Sequence, residues 1–221
     1  MFSTTDNFIL EPKAVKLMEK YNIFYPVHGM AKTAKEASTI ADRIGYPVVM
    51  KIVSLDAPHK SDVGGVITGL DSAKAVQEGY GTIINCVKNA LPDADIEGVL
   101  VCCQAKTGVE VIVGATSDPV FGMTLMFGLG GIFTEVLKDV VFRSIPIKPI
   151  DAKEMIQEIK GLPMLTGTRG KAPCNLNKLQ ELLLSVSQFI ADHPDITEFD
   201  LNPVRVYSDG IQTLDVRIIR Q

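Results

Sequence analysis

Glu198, Asp200 and Asn202 alternate with Phe199 and Leu201. Strand side chains two residues apart share a face, so these three oxygen-bearing groups line up together. Asp215 lies just beyond a Ser208-Asp209-Gly210 turn, where a hairpin partner strand brings it back towards them. Oxygen ligands on two paired strands suit Mg²⁺, which takes one or two protein carboxylates and fills its remaining positions with phosphate oxygens and water. The ordinary alternative is a solvated sheet face, which the flanking apolar residues and Pro203 make less comfortable.

A second group sits in the loop Ala57-Pro-His-Lys-Ser-Asp-Val-Gly-Gly-Val66. It places His59, Lys60, Ser61, Asp62 and two glycines between apolar runs, where a scaffold can present chemistry. An imidazole nitrogen largely unprotonated at neutral pH is a good nucleophile towards phosphorus. A solvated surface histidine is the plainer reading of the loop alone. Lys51 ends an apolar, β-branched run, so its ammonium is expected at a sheet edge or cleft, where it can neutralise a phosphate as a point charge. Glu110 can accept from a ribose hydroxyl, and Arg143 is another cation in an apolar strand; for all three the alternative is a merely solvated charge.

Gly128-Leu129-Gly130-Gly131 follows an apolar strand, but the third dinucleotide-fingerprint position is Phe133 and no Gly-Lys-Ser/Thr ends a glycine loop. Gly130 and Gly131 form either a tight turn or a backbone loop whose N–H groups approach phosphate oxygens.

Periodicity predicts the elements that position these groups. Helices are expected over 11–21, 33–44 (closed by Gly45), 72–90, 151–160 and 176–192. Strands are expected over 46–53, 66–70, 96–104, 109–115, 122–127, 140–147, 197–207 and 211–219, with a turn around Gly29 and a short stretch containing Glu135 after the glycines. Strands cluster in hairpin-like runs, which favours α+β over a doubly wound parallel sheet. The expected division is a first lobe over 1–95 and a second over 96–221.

With 22 basic and 26 acidic residues in 221, the formal net charge is −4, which argues against a dedicated nucleic-acid binder. Four cysteines follow no metal-ligand spacing and suit a reducing, cytoplasmic setting. No segment reads as a signal peptide or membrane span. A 46% share of hydrophobic residues hints that some apolar surface is covered by a partner.

Taken together, the motifs resemble the β subunit of ADP-forming acetyl-CoA (acyl-CoA) synthetases, ATP-grasp proteins related to succinyl-CoA synthetase. The resemblance runs from Glu11 to Ile219. It rests on Gly-Tyr-Pro-Val-Val-x-Lys at 45–51, His-Lys-Ser-Asp-Val-Gly-Gly-Val at 59–66, Gly-Val-Glu-Val-Ile-Val-Gly at 108–114 and Asp-Pro-Val-Phe-Gly at 118–122. Phe-Gly-Leu-Gly-Gly-Ile at 127–132, Arg-Gly at 169–170 and Glu-Phe-Asp-Leu-Asn-Pro-Val at 198–204 complete it.

The resemblance implies two α+β lobes clasping ATP or ADP, with Mg²⁺ on Asn202 and Asp215. Lys51 would meet the phosphates, the strand through Val101, Cys103 and Gln104 would meet adenine by its backbone, and Glu110 would sit near the ribose. Gly130, Gly131 and Arg143 join this nucleotide set. His59 matches the histidine that carries the phosphoryl group, and Asp200 the acidic residue that orients it. Val101-Cys102-Cys103-Gln104 departs from the pattern common at the adenine strand and leaves ATP over GTP open. A CoA-binding α subunit, in an α2β2 assembly, would hold the acyl site. Two other readings stand beside this one: a non-catalytic assembly subunit, and a stand-alone ATP-grasp carboxylate–amine ligase.

Overall fold

A computed structural model describes residues 7–131, 139–168 and 172–221. Ile132, Phe133, Glu135 and the Arg169-Gly170 pair lie outside the described residues. Two compact units form, one running to Pro12 and from Pro26 to Ala105, the other comprising Lys13–Tyr25 and Lys106–Gln221.

In the first unit, a two-residue strand β1 (Phe8–Ile9) precedes helix α1 (Glu11–Glu19), which continues into the second unit. The sheet has the order β2-β5-β3-β4, built from β2 (His28–Ala31), β3 (Val48–Val53), β4 (Val66–Leu70) and β5 (Gly98–Cys103), antiparallel throughout. Helices α2 (Ala34–Ile44) and α3 (Ala73–Ala90) pack on one face. Ala37, Ile40 and Ala41 of α2 recur at helical spacing and meet Val48, Met50 and Ile52, the alternate residues of β3. Thr33 caps α2 by accepting from Glu36 N at 3.1 Å, and Ser72 caps α3 by accepting from Ala75 N at 3.3 Å.

The expected boundary at 95/96 is corrected. β5 is a central strand hydrogen-bonded to both β2 and β3, so it belongs with the first sheet, and the units part at Ala105. β2 replaces the turn expected around Gly29. A Cβ there would come within 2.9 Å of Ile40 Cγ2, so this glycine lets α2 lie close on the strand.

The second unit carries β6 (Val109–Asp118), β7 (Gly122–Leu129), β8 (Val140–Ser144), β9 (Ile196–Val206), β10 (Ile211–Thr213) and β11 (Val216–Arg220). Its antiparallel sheet follows the order β11-β9-β6-β7-β8, with β10 also against β9. Helices α4 (Pro149–Glu158), α5 (Leu162–Thr166) and α6 (Leu176–Asp192) complete it. Phe189 of α6 stacks on Phe199 of β9 with ring centroids 5.4 Å apart, and Tyr21 meets Phe189 edge-on at 5.1 Å. The single strand expected over 211–219 breaks at Leu214-Asp215, between β10 and β11. Val120 and Phe121 stay exposed at the β6–β7 turn, which Asp118 closes by accepting both of their N–H groups at 2.8 Å. Among the described residues no helix is long and apolar enough to cross a membrane.

Candidate functional site

His59 sits where β3 has ended and a single 3-10 turn, Lys60–Val63, begins. Backbone bonds close the turn: Asp62 N donates to His59 O at 3.1 Å, Gly64 N to Ser61 O at 3.2 Å and Gly65 N to Lys60 O at 2.7 Å. Ile52 N donates to Gly65 O at 2.7 Å and ties the turn to β3. Gly64 is left-handed (φ 67°), and a Cβ on Gly65 would fall 2.5 Å from Ile52 Cγ2 and 2.8 Å from Lys60 O. The imidazole is thus carried outward, exposed, on a turn that only these glycines permit. Gly65→Ala should cost about 1–3 kcal/mol by overpacking a buried Ile and a backbone oxygen, a loss measurable by urea unfolding.

Lys51 is not at a sheet edge. It is buried, and Nζ lies 2.8 Å from Glu11 Oε1, while Lys60 Nζ lies 3.2 Å from Glu11 Oε2. β3 is paired on both sides, and its parity turns Lys51 away from α2 and α3, towards the buried carboxylate at the start of α1.

Val101 lies inside the ladder, paired with Gly29 on one side and Met50 on the other. Cys103 N donates to Val27 O at 2.9 Å, Gln104 N to Pro47 O at 3.2 Å, and the Gln104 amide oxygen accepts from Gly69 N at 2.6 Å. The N–H groups of Cys103 and Gln104 are thus engaged within the first unit, where β5 is a central strand.

In the second unit the polar face of β9 forms as the alternation predicts, with Phe199 and Leu201 buried on the opposite side. Arg217 pairs in register with Asp200, and Arg217 Nη1 lies 3.8 Å from Glu198 Oε1. Burial pushes the Asp200 carboxyl up to about 6; the neighbouring Glu198 and Asp215 charges add to the rise, while Arg217 and a hydrogen bond with Asn202 oppose it. Gly114 of β6 stands opposite Asp200, and a Cβ there would lie 3.6 Å from Asp200 Oδ1. A glycine in mid-strand signals such a close approach, and Gly114 was legible on that ground.

Asn202 is exposed and Asp215 half-buried; Leu214 N donates to Pro203 O at 2.9 Å and holds their two stretches together. Among the described residues no set of three or more His, Cys, Asp or Glu side chains closes around an ion. An open pair of oxygen donors fits Mg²⁺, which keeps waters and phosphate oxygens, better than a metal that needs a full protein cage.

Glu110, Gly130 and Gly131 do come together, around a cavity of about 610 Å³ also lined by Lys106, Met164 and Tyr207. That volume holds a small-molecule ligand. Glu110 Oε1 accepts from Arg205 Nε at 3.1 Å and Nη2 at 2.9 Å, which fixes the carboxylate on the cavity wall. Arg205 was not singled out from the sequence, because its partner lies on another strand. Arg143 is elsewhere: its guanidinium bonds Glu158 and lies 3.7 Å from Glu154, both on α4. It does not line the cavity that Glu110, Gly130 and Gly131 share.

Two α+β units with antiparallel sheets, a glycine-flanked histidine turn and an oxygen-lined strand pair define an ATP-grasp protein. The chain belongs to the ATP-grasp domain family, which matches residues 2–219. It is 44% identical over 211 residues to the β subunit of acetate–CoA ligase (ADP-forming) I of Pyrococcus furiosus, covering 96% of this chain and 91% of that one. Acetyl-coenzyme A synthetase 1 of Ca. Korarchaeum cryptofilum, solved with coenzyme A and Ca-AMPCP, superposes with a TM-score of 0.95 at 43% identity, over 97% of this chain and 94% of that one. The same enzyme with coenzyme A and Mg-AMPPCP, its phosphohistidine segment pointing towards the nucleotide-binding site, gives 0.85 at 39% identity, over 97% and 93%.

Proposed function

We propose that the chain is the nucleotide-binding β subunit of an ADP-forming acyl-CoA ligase and exchanges a phosphoryl group between ATP and His59. The overall reaction is acyl-CoA + ADP + phosphate ⇌ carboxylate + CoA + ATP, with a CoA-binding α subunit in an α2β2 assembly supplying the acyl half. The observation that carries this reading is the exposed His59 on its backbone-closed turn, in a chain of this family.

A ring nitrogen of His59 attacks the γ-phosphorus. The N–P bond forms as the bridging P–O bond breaks, and ADP leaves with the electron pair. The other ring nitrogen keeps its proton, and ionised Asp200 serves as the carboxylate that accepts from it and stabilises the phosphohistidine. Mg²⁺ on Asn202 and Asp215 would neutralise phosphate charge. Lys51 adds positive charge, Glu110 faces the ribose, and Gly131 offers its N–H group, that of Gly130 being taken by Glu110 O at 2.7 Å; positioning and neutralisation supply most of the catalysis in such transfers.

Incubation with γ-labelled ATP and Mg²⁺, without any partner, should give an acid-labile label on the chain. Magnesium-dependent ATP binding by calorimetry should accompany it. Absence of both would favour a non-catalytic assembly role.

A further inference from the structure

Asp139 immediately precedes β8, is only 6% exposed, and is not among the groups assigned to the transfer at His59. Its carboxylate accepts two backbone N–H groups: Lys160 N donates to Oδ1 at 2.8 Å and Gly161 N to Oδ2 at 2.7 Å. Both donors belong to the turn between α4 and α5, so the carboxylate holds the point from which α5 starts. α5 has only five residues, too few to be stable as a helix by itself. Two groups hang from it: Met164, whose N–H donates to Gly161 O at 2.9 Å, and Cys174, whose N–H donates to Leu165 O at 2.8 Å. Met164 and Cys174 both line the cavity of about 610 Å³.

The same residue is fixed to the opposite wall. Gly128 of β7 pairs with Val140 of β8, and a Cβ on Gly128 would fall 2.5 Å from Asp139 O, so the two strands run close together here. Two residues further along, Gly130 N donates to Glu110 O at 2.7 Å, which sets the glycine wall beside Glu110. A Cβ on Gly161 would lie 2.0 Å from Leu129 Cδ1 and 3.1 Å from Asp139 Oδ2, so the α4–α5 turn is seated directly on the end of β7. One buried carboxylate thus ties together the glycine wall and the α5 wall of a single cavity.

We propose that Asp139 is a positioning residue for nucleotide binding, holding α5 on the end of β7 so that both cavity walls are in place before the ligand arrives. This role rests on the reading of the cavity as part of the nucleotide site. A pocket ordered beforehand loses less affinity to the cost of ordering itself. Two charge-assisted bonds to backbone N–H groups, in a buried place, supply that order without contact with the ligand. Such a residue acts on affinity rather than on the rate of transfer to His59.

Asp139→Asn in the full chain keeps the side chain's size but turns an amide group towards one of the two N–H donors. The Kd for Mg-ADP by calorimetry should rise about tenfold, while the maximal rate of His59 labelling at saturating ATP stays within about twofold. Amide exchange should quicken at Met164 and Cys174 and stay unchanged along β9, a division that a general loosening of the unit would not produce. A second measurement needs no substitution and decides the matter even if Asp139→Asn does not fold. In the unsubstituted chain, saturating Mg-ADP should slow exchange at Gly161, Met164 and Cys174, because a ligand that binds the ordered walls stabilises them. Unchanged affinity in folded Asp139→Asn, or a fall in maximal rate at unchanged affinity, would overturn the positioning role. Unaltered exchange at these three amides in the chain saturated with Mg-ADP would also overturn it, and would leave the nucleotide reading standing. If the unsubstituted chain binds no Mg-ADP, the nucleotide reading fails and the positioning role falls with it.

Discussion

His59→Ala should take up no acid-labile label from ATP, yet fold and bind Mg-ATP as the unsubstituted chain does. The chain has three histidines, and the other two cannot stand in. His28 is half-buried on β2 with Nδ1 2.9 Å from Pro26 O. His193 has Nδ1 2.7 Å from Phe189 O and is packed against the rings of Phe189 and Tyr21, at 4.6 and 5.7 Å. Only His59 presents an imidazole to solvent on a turn. Its side chain makes no capping bond, so its removal should change stability by no more than about 0.5 kcal/mol. Labelling should drop by at least about a thousandfold, as for loss of a covalent nucleophile. Full labelling of the variant would end the case for His59 as carrier.

What could be read from the sequence divides along a physical line. Local rules placed the elements: Thr33 and Gly45 bound α2, Ser72 opens α3, and Ser208-Asp209-Gly210 turns β9 back into β10. The polar face of β9 followed from strand parity alone, and the register of Arg217 with Asp200 agrees with it. Pairing at a distance was not legible. Lys51 was expected at a sheet edge or cleft because the run it ends is apolar; the carboxylate it meets, Glu11, lies 40 positions earlier. Arg143 read as an available cation until α4 placed two carboxylates against it. The boundary between the units escaped for a related reason. Composition does not change at residue 96, and only pairing with β2 and β3 assigns β5 to the first sheet. The roles of His59 and Asp200 came from the order of several motifs, since each residue alone has an ordinary explanation.

Asp200→Asn should lower His59 phosphorylation by about 10²-fold or more while making the folded chain more stable at neutral pH. The two effects share one cause. In the metal-free chain Asp200 is held near 6 against an ordinary value of 3.8, because the fold buries it beside Glu198 and Asp215. Between those values the unfolded chain has lost this proton and the folded chain keeps it, so the folded state binds more protons and its stability falls as pH rises. The stability that neutral Asp200 contributes is present below pH 3.8 and is gone above 6. At pH 7 the ionised form costs up to about 3 kcal/mol, from roughly two units at 1.36 kcal/mol each. Asparagine is close in size and carries no charge. It should therefore remove this cost and flatten the stability profile between pH 4 and 6, as read by urea unfolding in the presence of a chelator. On the proposed mechanism transfer uses the ionised form, because a carboxylate accepting the ring N–H stabilises the charged phosphohistidine. On that mechanism the cost of ionising Asp200 serves the transfer, and a phosphohistidine N–H or Mg²⁺ nearby would relieve it. If Asp200→Asn matches the unsubstituted chain in stability at both pH 4.5 and pH 7, the carboxyl does not carry this cost; if it labels at the normal rate, Asp200 does not serve the transfer.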